Sequence, residues 1–90
     1  LKKPDTDERR KAAEAVCEAC KNGDGDFSTH IPALVDALKD KDAVVRGEIA
    51  EALGFLGPDA KAAVGGVRAL LKDTIPEVRA KAAFALGGFG

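Results

Sequence analysis

The residues best equipped for chemistry gather in the first third of the chain. Cys17 and Cys20 form C-x-x-C, Asp24 and Asp26 follow in "NGDGDF", and the only histidine, His30, comes ten residues after Cys20. Two thiolates and an imidazole are zinc ligands, but strong structural zinc sites pair two such knuckles, and here there is one knuckle without a persuasive fourth ligand. The pair falls inside a helical pattern with no strand before it, which argues against thiol exchange; packing or surface thiols are the reading. Asn22, Asp24 and Asp26 could point oxygens at a calcium ion from alternate positions. The sixth position counted from Asn22 is Phe27 instead of glycine, however, and the twelfth is Ala33 instead of glutamate, so the segment reads as a solvated loop. His30 has no serine or cysteine arranged beside it as a nucleophile, and the glycines of "VGGV" and "LGGFG" follow no strand and precede no Gly-Lys-Ser/Thr. The chain therefore reads as non-enzymatic, with no catalytic residues, metal site or cofactor of its own.

The elements that hold these residues are bounded by composition. Ninety residues make one domain at most, and a chain of that size buries only about 60–65% of the surface its unfolded form exposes. It lacks methionine, begins on Leu1 and stops at Gly90, where a repeated phrase closes, which reads as a piece of a longer array. Apolar residues are 46% of the chain but only four are aromatic, and alanine supplies much of the total, which favours closely packed helices. Fourteen basic against fifteen acidic residues leave a net charge of −1, so no global field gathers nucleic acid or an anionic membrane. No apolar run approaches the roughly 20 residues of a membrane span, and "LKKPDTDERR" lacks the apolar core of a signal peptide. A cytoplasmic location is expected, and two cysteines are too few for a disulfide framework.

One phrase is written twice. Residues 31–57 shifted by thirty-three fall on 64–90 with ten identities in twenty-seven positions, among them Asp40/Asp73, Arg46/Arg79, Leu53/Leu86 and Gly54/Gly87. Pairs such as Ile31/Val64 keep the apolar pattern where the letters change. "DERRKAAEAVCEAC" fits the second half of the same unit with Arg9 on Arg79, so the unit occurs two and a half times. The spacing from Arg9 to Arg46 is thirty-seven, and the four extra residues belong to the loop "NGDGDFST". A fixed period in this range signals stacked hairpins. Ile31, Leu34, Val35 and Leu38, then Val45, Ile49, Leu53 and Leu56, follow helical spacing across a break at "KDKD". Helices are predicted near 5–20, 29–39, 42–56, 59–72 and 75–88, with caps at Asp5, Asp42 and Thr74. The units are a half repeat over 5–20, a loop over 21–28, and repeats over 29–57 and 58–90.

The phrases "DAVVRGEIAEALGFLG" and "PEVRAKAAFALGGFG", preceded by "ALVDALKD" and "VRALLKD", resemble HEAT repeats, specifically the short bacterial and archaeal subtype called phycobilisome-lyase HEAT-like. The likeness covers nearly the whole chain and implies an all-α, right-handed α-α superhelix. Its most diagnostic feature is a turn aspartate followed six residues later by arginine: Asp40 with Arg46, and Asp73 with Arg79. The resemblance implies that these four form a ladder joining successive hairpins, so Arg46→Ala should cost more than Arg10→Ala. Proline near the start of the first helix is present as Pro32, but its counterpart is Gly65, followed by Gly66, where a soft or kinked helix is expected.

In such solenoids the second helix of each hairpin lines the concave side, where partners commonly bind. With Val45, Ile49, Ala52, Leu53 and Leu56 assigned to the core, Glu48, Glu51 and Phe55 share another face. The repeat then sets three rows across the stack: Lys11, Glu48, Lys81; Glu14, Glu51, Phe84; and Glu18, Phe55, Gly88. Phe55 and Phe84, margined by Glu14, Glu48, Glu51 and Lys81, form the candidate contact surface for a protein or peptide. The alternatives are that both rings are packing residues in a structural spacer, or that the repeats hold a chromophore or substrate as a bilin lyase subunit does. Open repeat ends would also let copies associate end to end.

Overall fold

A computed structural model describes residues 5–23 and 25–89; residues 1–4, Asp24 and Gly90 lie outside the described residues, and with them one carboxylate of the zinc and calcium readings and the last glycine of the repeat. The first helix, α1, runs Thr6–Asn22. Asp5 stays extended before it and accepts the Glu8 N–H at 2.8 Å, satisfying a donor that the helix itself leaves orphaned. The helix stops because Gly23 takes a left-handed conformation, φ 74°, and turns its N–H back on the Ala19 and Cys20 carbonyls, a geometry that costs a side-chain-bearing residue more.

The loop that follows is tied down by Asp26, whose Oδ1 accepts the Ser28 N–H at 2.9 Å, and by Phe27, which packs on the Cys17, Cys20 and Ala52 cluster. A 3₁₀ turn, Ser28–His30, leads into α2, Ile31–Ala37. The next helix, α3, spans Ala43–Leu56 and is capped by Asp42, which accepts the Val45 N–H at 3.1 Å. A 3₁₀ stretch, Gly57–Ala63, then enters α4, Val64–Ala69, and a 3₁₀ turn, Leu70–Lys72, precedes α5, Pro76–Gly88. No strand occurs among the described residues.

Two expectations change here. Thr74 does not cap α5: its N-cap is Ile75, extended at φ −95° and ψ 118°, with no side-chain capping bond. Pro76 disfavours helical geometry at the residue before it and itself starts the helix, so Thr74 is pushed outside. The backbone break of the second hairpin lies at Ala60 (φ −98°, ψ 19°), not at Gly65 and Gly66, which sit in regular α4.

Helix α3 lies between α1 and α5 and packs along both, while α2 and α4 cover the other side. The slab is 19 Å thin in its shortest dimension, about two helix diameters. Its core runs from Ala13 through Ile31, Leu34, Val45, Ile49 and Leu53 to Val67, Val78 and Ala85. Leu53 is fully buried, as are Ala50, Ala52, Ala60, Ala63, Ala82 and Ala85. So many buried alanines let the helices approach closely, and packing energy comes from dispersion over short distances. Approach is tightest between α3 and α5, where a Cβ on Gly54 would fall 2.7 Å from the Ala85 Cα and one on Gly88 would fall 2.5 Å from the Gly54 carbonyl oxygen.

Candidate interaction face

Turn geometry positions the first set of site residues. Asp40 Oδ1 accepts the Asp42 N–H at 2.8 Å, and Asp73 Oδ1 accepts the Ile75 N–H at 2.9 Å, so each carboxylate is aimed by its own turn. Arg46 meets Asp73 with both branches of its fork, Nε to Oδ2 at 2.8 Å and Nη2 to Oδ1 at 3.1 Å. Its Nη1 turns back to the Asp40 and Lys41 carbonyls at 2.9 and 3.0 Å. One guanidinium thus joins the turn before α3 to the turn before α5, with little solvent on either partner. Arg46 and the Ile75 N–H hold the Asp73 carboxyl below its usual range.

The same arrangement recurs one hairpin earlier with a residue that the ladder assignment left out. Arg9 donates to Asp40 through Nε at 3.0 Å and Nη2 at 3.3 Å. The offset of thirty-seven already set Arg9 on Arg46, so its place was legible. Arg10 adds a second bidentate pair, 2.9 and 2.7 Å to Asp42, so it too joins neighbouring hairpins, but its side chain is more exposed than that of Arg46 and, among the described residues, lacks the two carbonyl bonds that Arg46 makes. Arg79 completes only half of the pattern. Its Nη1 reaches the Asp73 carbonyl at 2.7 Å, but among the described residues no carboxylate takes the rest of its fork.

The second set lies on the exposed surfaces of α3 and α5. Phe55 and Phe84 meet edge to face, ring centroids 5.2 Å apart at 68°, a favoured aromatic geometry. Phe55 is half-buried against the Cys17 and Cys20 cluster, whereas Phe84 is 49% exposed. Beside them Lys81 Nζ donates to Glu48 Oε1 at 2.6 Å. Lys11, the other lysine of that row, makes no ion pair among the described residues, and Glu14 is exposed on α1.

Glu51 has a partner that sequence reasoning missed: the buried Cys17 thiol donates to its Oε1 at 3.3 Å. Burial, and then the Glu51 carboxylate, push this thiol up to about 12. Donor atoms of Cys17, Glu48 and Glu51 lie within 4.8 Å of one another. Each is already engaged, with Lys81 on Glu48 and the thiol proton on Glu51, so the cluster reads as an internally satisfied network. Cys20 is buried and reduced, and His30 is exposed against Phe27.

Two clefts flank these helices. One, of about 130 Å³, opens between Val44 and Gly47 on α3 and Ile75 and Val78 near α5; the other, of about 200 Å³, is an apolar groove of Ala12, Val16, Ala37, Val45 and Ile49. Neither reaches the roughly 300 Å³ of a typical small-molecule site.

A stack of antiparallel hairpins joined by a turn aspartate and an arginine six residues on is accompanied by a family match over residues 1–87, to the HEAT repeats. The chain belongs to the HEAT-repeat family. No curated protein matches it. HEAT repeats generally mediate protein–protein interaction and are typically non-catalytic. No helix among the described residues of this HEAT chain is long and apolar enough to cross a membrane.

Proposed function

We propose that this HEAT chain is a non-catalytic interaction module whose α3 and α5 surface binds one amphipathic helix or peptide of a partner protein. The observation that carries the reading is the Phe55–Phe84 pair. A large ring left half in solvent keeps apolar surface out of the core, and aromatic side chains dominate interface energies when a partner covers them. Phe55 is held from beneath by Cys17, Cys20 and Ala52, so one ring is preorganised and the other is presented. Glu48, Glu51 and Glu14 supply an acidic margin with Lys81 as the single base within it, which favours a partner that carries apolar anchors beside basic residues.

The test compares the chain with a Phe55→Ser, Phe84→Ser double variant as bait for affinity capture from the source cell, after circular dichroism has shown equal helix content. A protein retained by the parent and lost by the variant supports the reading. Identical retention, or none, would leave the rings as packing residues and favour a spacer role.

A further inference from the structure

Large apolar side chains are exposed at four of the described positions, Val44, Leu71, Ile75 and Phe84, and three of these belong to the α3 and α5 surface. Phe84 stands at one end of it, edge to face with Phe55. Val44 and Ile75 stand together at the other end, where both line the cleft of about 130 Å³ with Gly47, Val78 and Lys81. A glycine inside a helix is less stable than alanine, and at Gly47 its effect is to leave the floor of this cleft open. A Cβ there would fall 3.1 Å from the Lys81 Cδ, and the equivalent residue of α5 is Ala80. Engineered apolar cavities of about 150 Å³ hold one benzene, so the space suits a single aliphatic side chain.

The two apolar ends are a fixed distance apart. Val44, Glu48, Glu51 and Phe55 follow one another at helical spacing along α3, and Glu77, Lys81, Phe84 and Gly88 hold the same places on α5. Val44 and Phe55 are eleven residues apart, three turns or about 16 Å. Between them the surface is polar: Lys81 binds Glu48 at 2.6 Å, and Glu51 accepts the Cys17 thiol. The corresponding places on α1 read Asp7, Lys11, Glu14 and Glu18. These twelve positions hold six carboxylates against two lysines, a local charge of −4 in a chain whose total is −1. A second copy is a poor occupant, because its own face would bring the same carboxylates opposite these.

We propose that the cleft between Val44 and Ile75 is a second anchor site on this face, and that its occupant is a basic amphipathic helix with two apolar side chains eleven residues apart and lysine or arginine between them. The inference rests on the binding role given above to Phe55 and Phe84. One anchor enters the cleft, the other covers the two rings, and the bases between them meet Glu48 and Glu51. Charge complementarity defines the occupant: apolar, acidic, acidic and apolar places at i, i+4, i+7 and i+11 on α3 are answered by apolar, basic, basic and apolar ones. Anchors at another spacing fill only one end, so the distance between them selects the partner, not hydrophobicity alone.

The experiment titrates the chain into three fluorescently labelled peptides, alanine- and glutamine-based and about 18 residues long so that they are helical. The first carries leucine at positions 4 and 15 and lysine at positions 8 and 11. The second exchanges positions 11 and 15, which keeps the composition and the apolar face but shortens the anchor spacing by one turn, and the third has glutamate for both lysines. The first should bind at least about tenfold more tightly than either of the others, and less tightly as salt rises. Val44→Ser with Ile75→Ser, which alters only exposed side chains, should abolish the preference for the first peptide over the second, whereas Phe55→Ser with Phe84→Ser should weaken both. Equal affinity of the first peptide and either of the others, or an unchanged preference in the Val44 and Ile75 variant, would overturn the two-anchor proposal and leave the reading of the phenylalanines in place. No binding of any peptide, or binding that the phenylalanine variant does not weaken, would overturn both. Sedimenting dimers of the chain alone that either double variant abolishes would make a second copy the occupant, and the proposal would fall.

Discussion

Asp42 serves two partners at once, capping α3 through the Val45 N–H and taking both branches of Arg10. Chiefly through that arginine its carboxyl is held at about 2, against about 3.9 in an unfolded chain. A folded-state pKa below the unfolded one gives stability that is present above about pH 4 and is lost as pH falls toward 2, and Asp73 shifts in the same direction. Urea midpoints should therefore hold near pH 5 and fall between about pH 4 and 2. Asp42→Asn keeps a capping oxygen but not the charge; it should be less stable at pH 7 and show a shallower acid limb, and an acid limb as steep as the parent's would assign the loss elsewhere. Cys17 acts on the alkaline side with the opposite arrangement. Its thiol is raised to about 12 in the fold, chiefly by burial, so the unfolded chain ionises first and stability declines above about pH 8.5. Cys17→Ala should flatten that decline between about pH 8.5 and 10; an unaltered slope would show that the thiol does not contribute.

Among the elements, α3 and α5 approach so closely that two glycines have opposite expected responses to the same change. A Cβ on Gly54 would press on the Ala85 backbone, which cannot move without shifting α5. Gly54→Ala should therefore cost roughly 1–3 kcal/mol despite alanine's better helix propensity. Gly65 lies in α4 facing open space, and Gly65→Ala should stabilise by roughly 0.5–1 kcal/mol. Chemical denaturation of the two variants checks the contrast, and the same sign for both would show that the close approach is not rigid. Much of this level was legible in the sequence because core residues obey one helical period: Ile31, Leu34, Leu38, Val45, Ile49 and Leu53 are all buried. The meeting of Glu48 with Lys81 was legible as well, since they are related by the offset of thirty-three, and that of Phe55 with Phe84 because they stand in adjoining rows on equivalent helices. Local exceptions were harder. Pro76 overrode the Thr74 and Glu77 capping signal, and Cys17 with Glu51 depends on the distance between α1 and α3, which no residue count supplies.

At the scale of the molecule, cohesion rests on equivalent arginines with unequal surroundings. Arg9 and Arg46 each bind the turn aspartate of the next hairpin, whereas Arg79, among the described residues, holds only the carbonyl of its own turn. In a stack whose stability is the sum of hairpin and interface contributions, losing Arg46 uncouples α5 from α3 and leaves the little-exposed Asp73 without its cation. Arg46→Ala should thus lose about 1–2 kcal/mol, while Arg79→Ala, which breaks one exposed bond, should stay within about 0.5 kcal/mol of the parent. The location of the damage is as informative as its size. Hydrogen exchange should quicken over α4 and α5 in Arg46→Ala while α1 and α3 keep their protection, because Arg9 still fastens the first interface. A uniform quickening across all helices would mean that the hairpins unfold as one unit, and equal losses in the two variants would mean that the arginine acts through its own turn alone and not between hairpins.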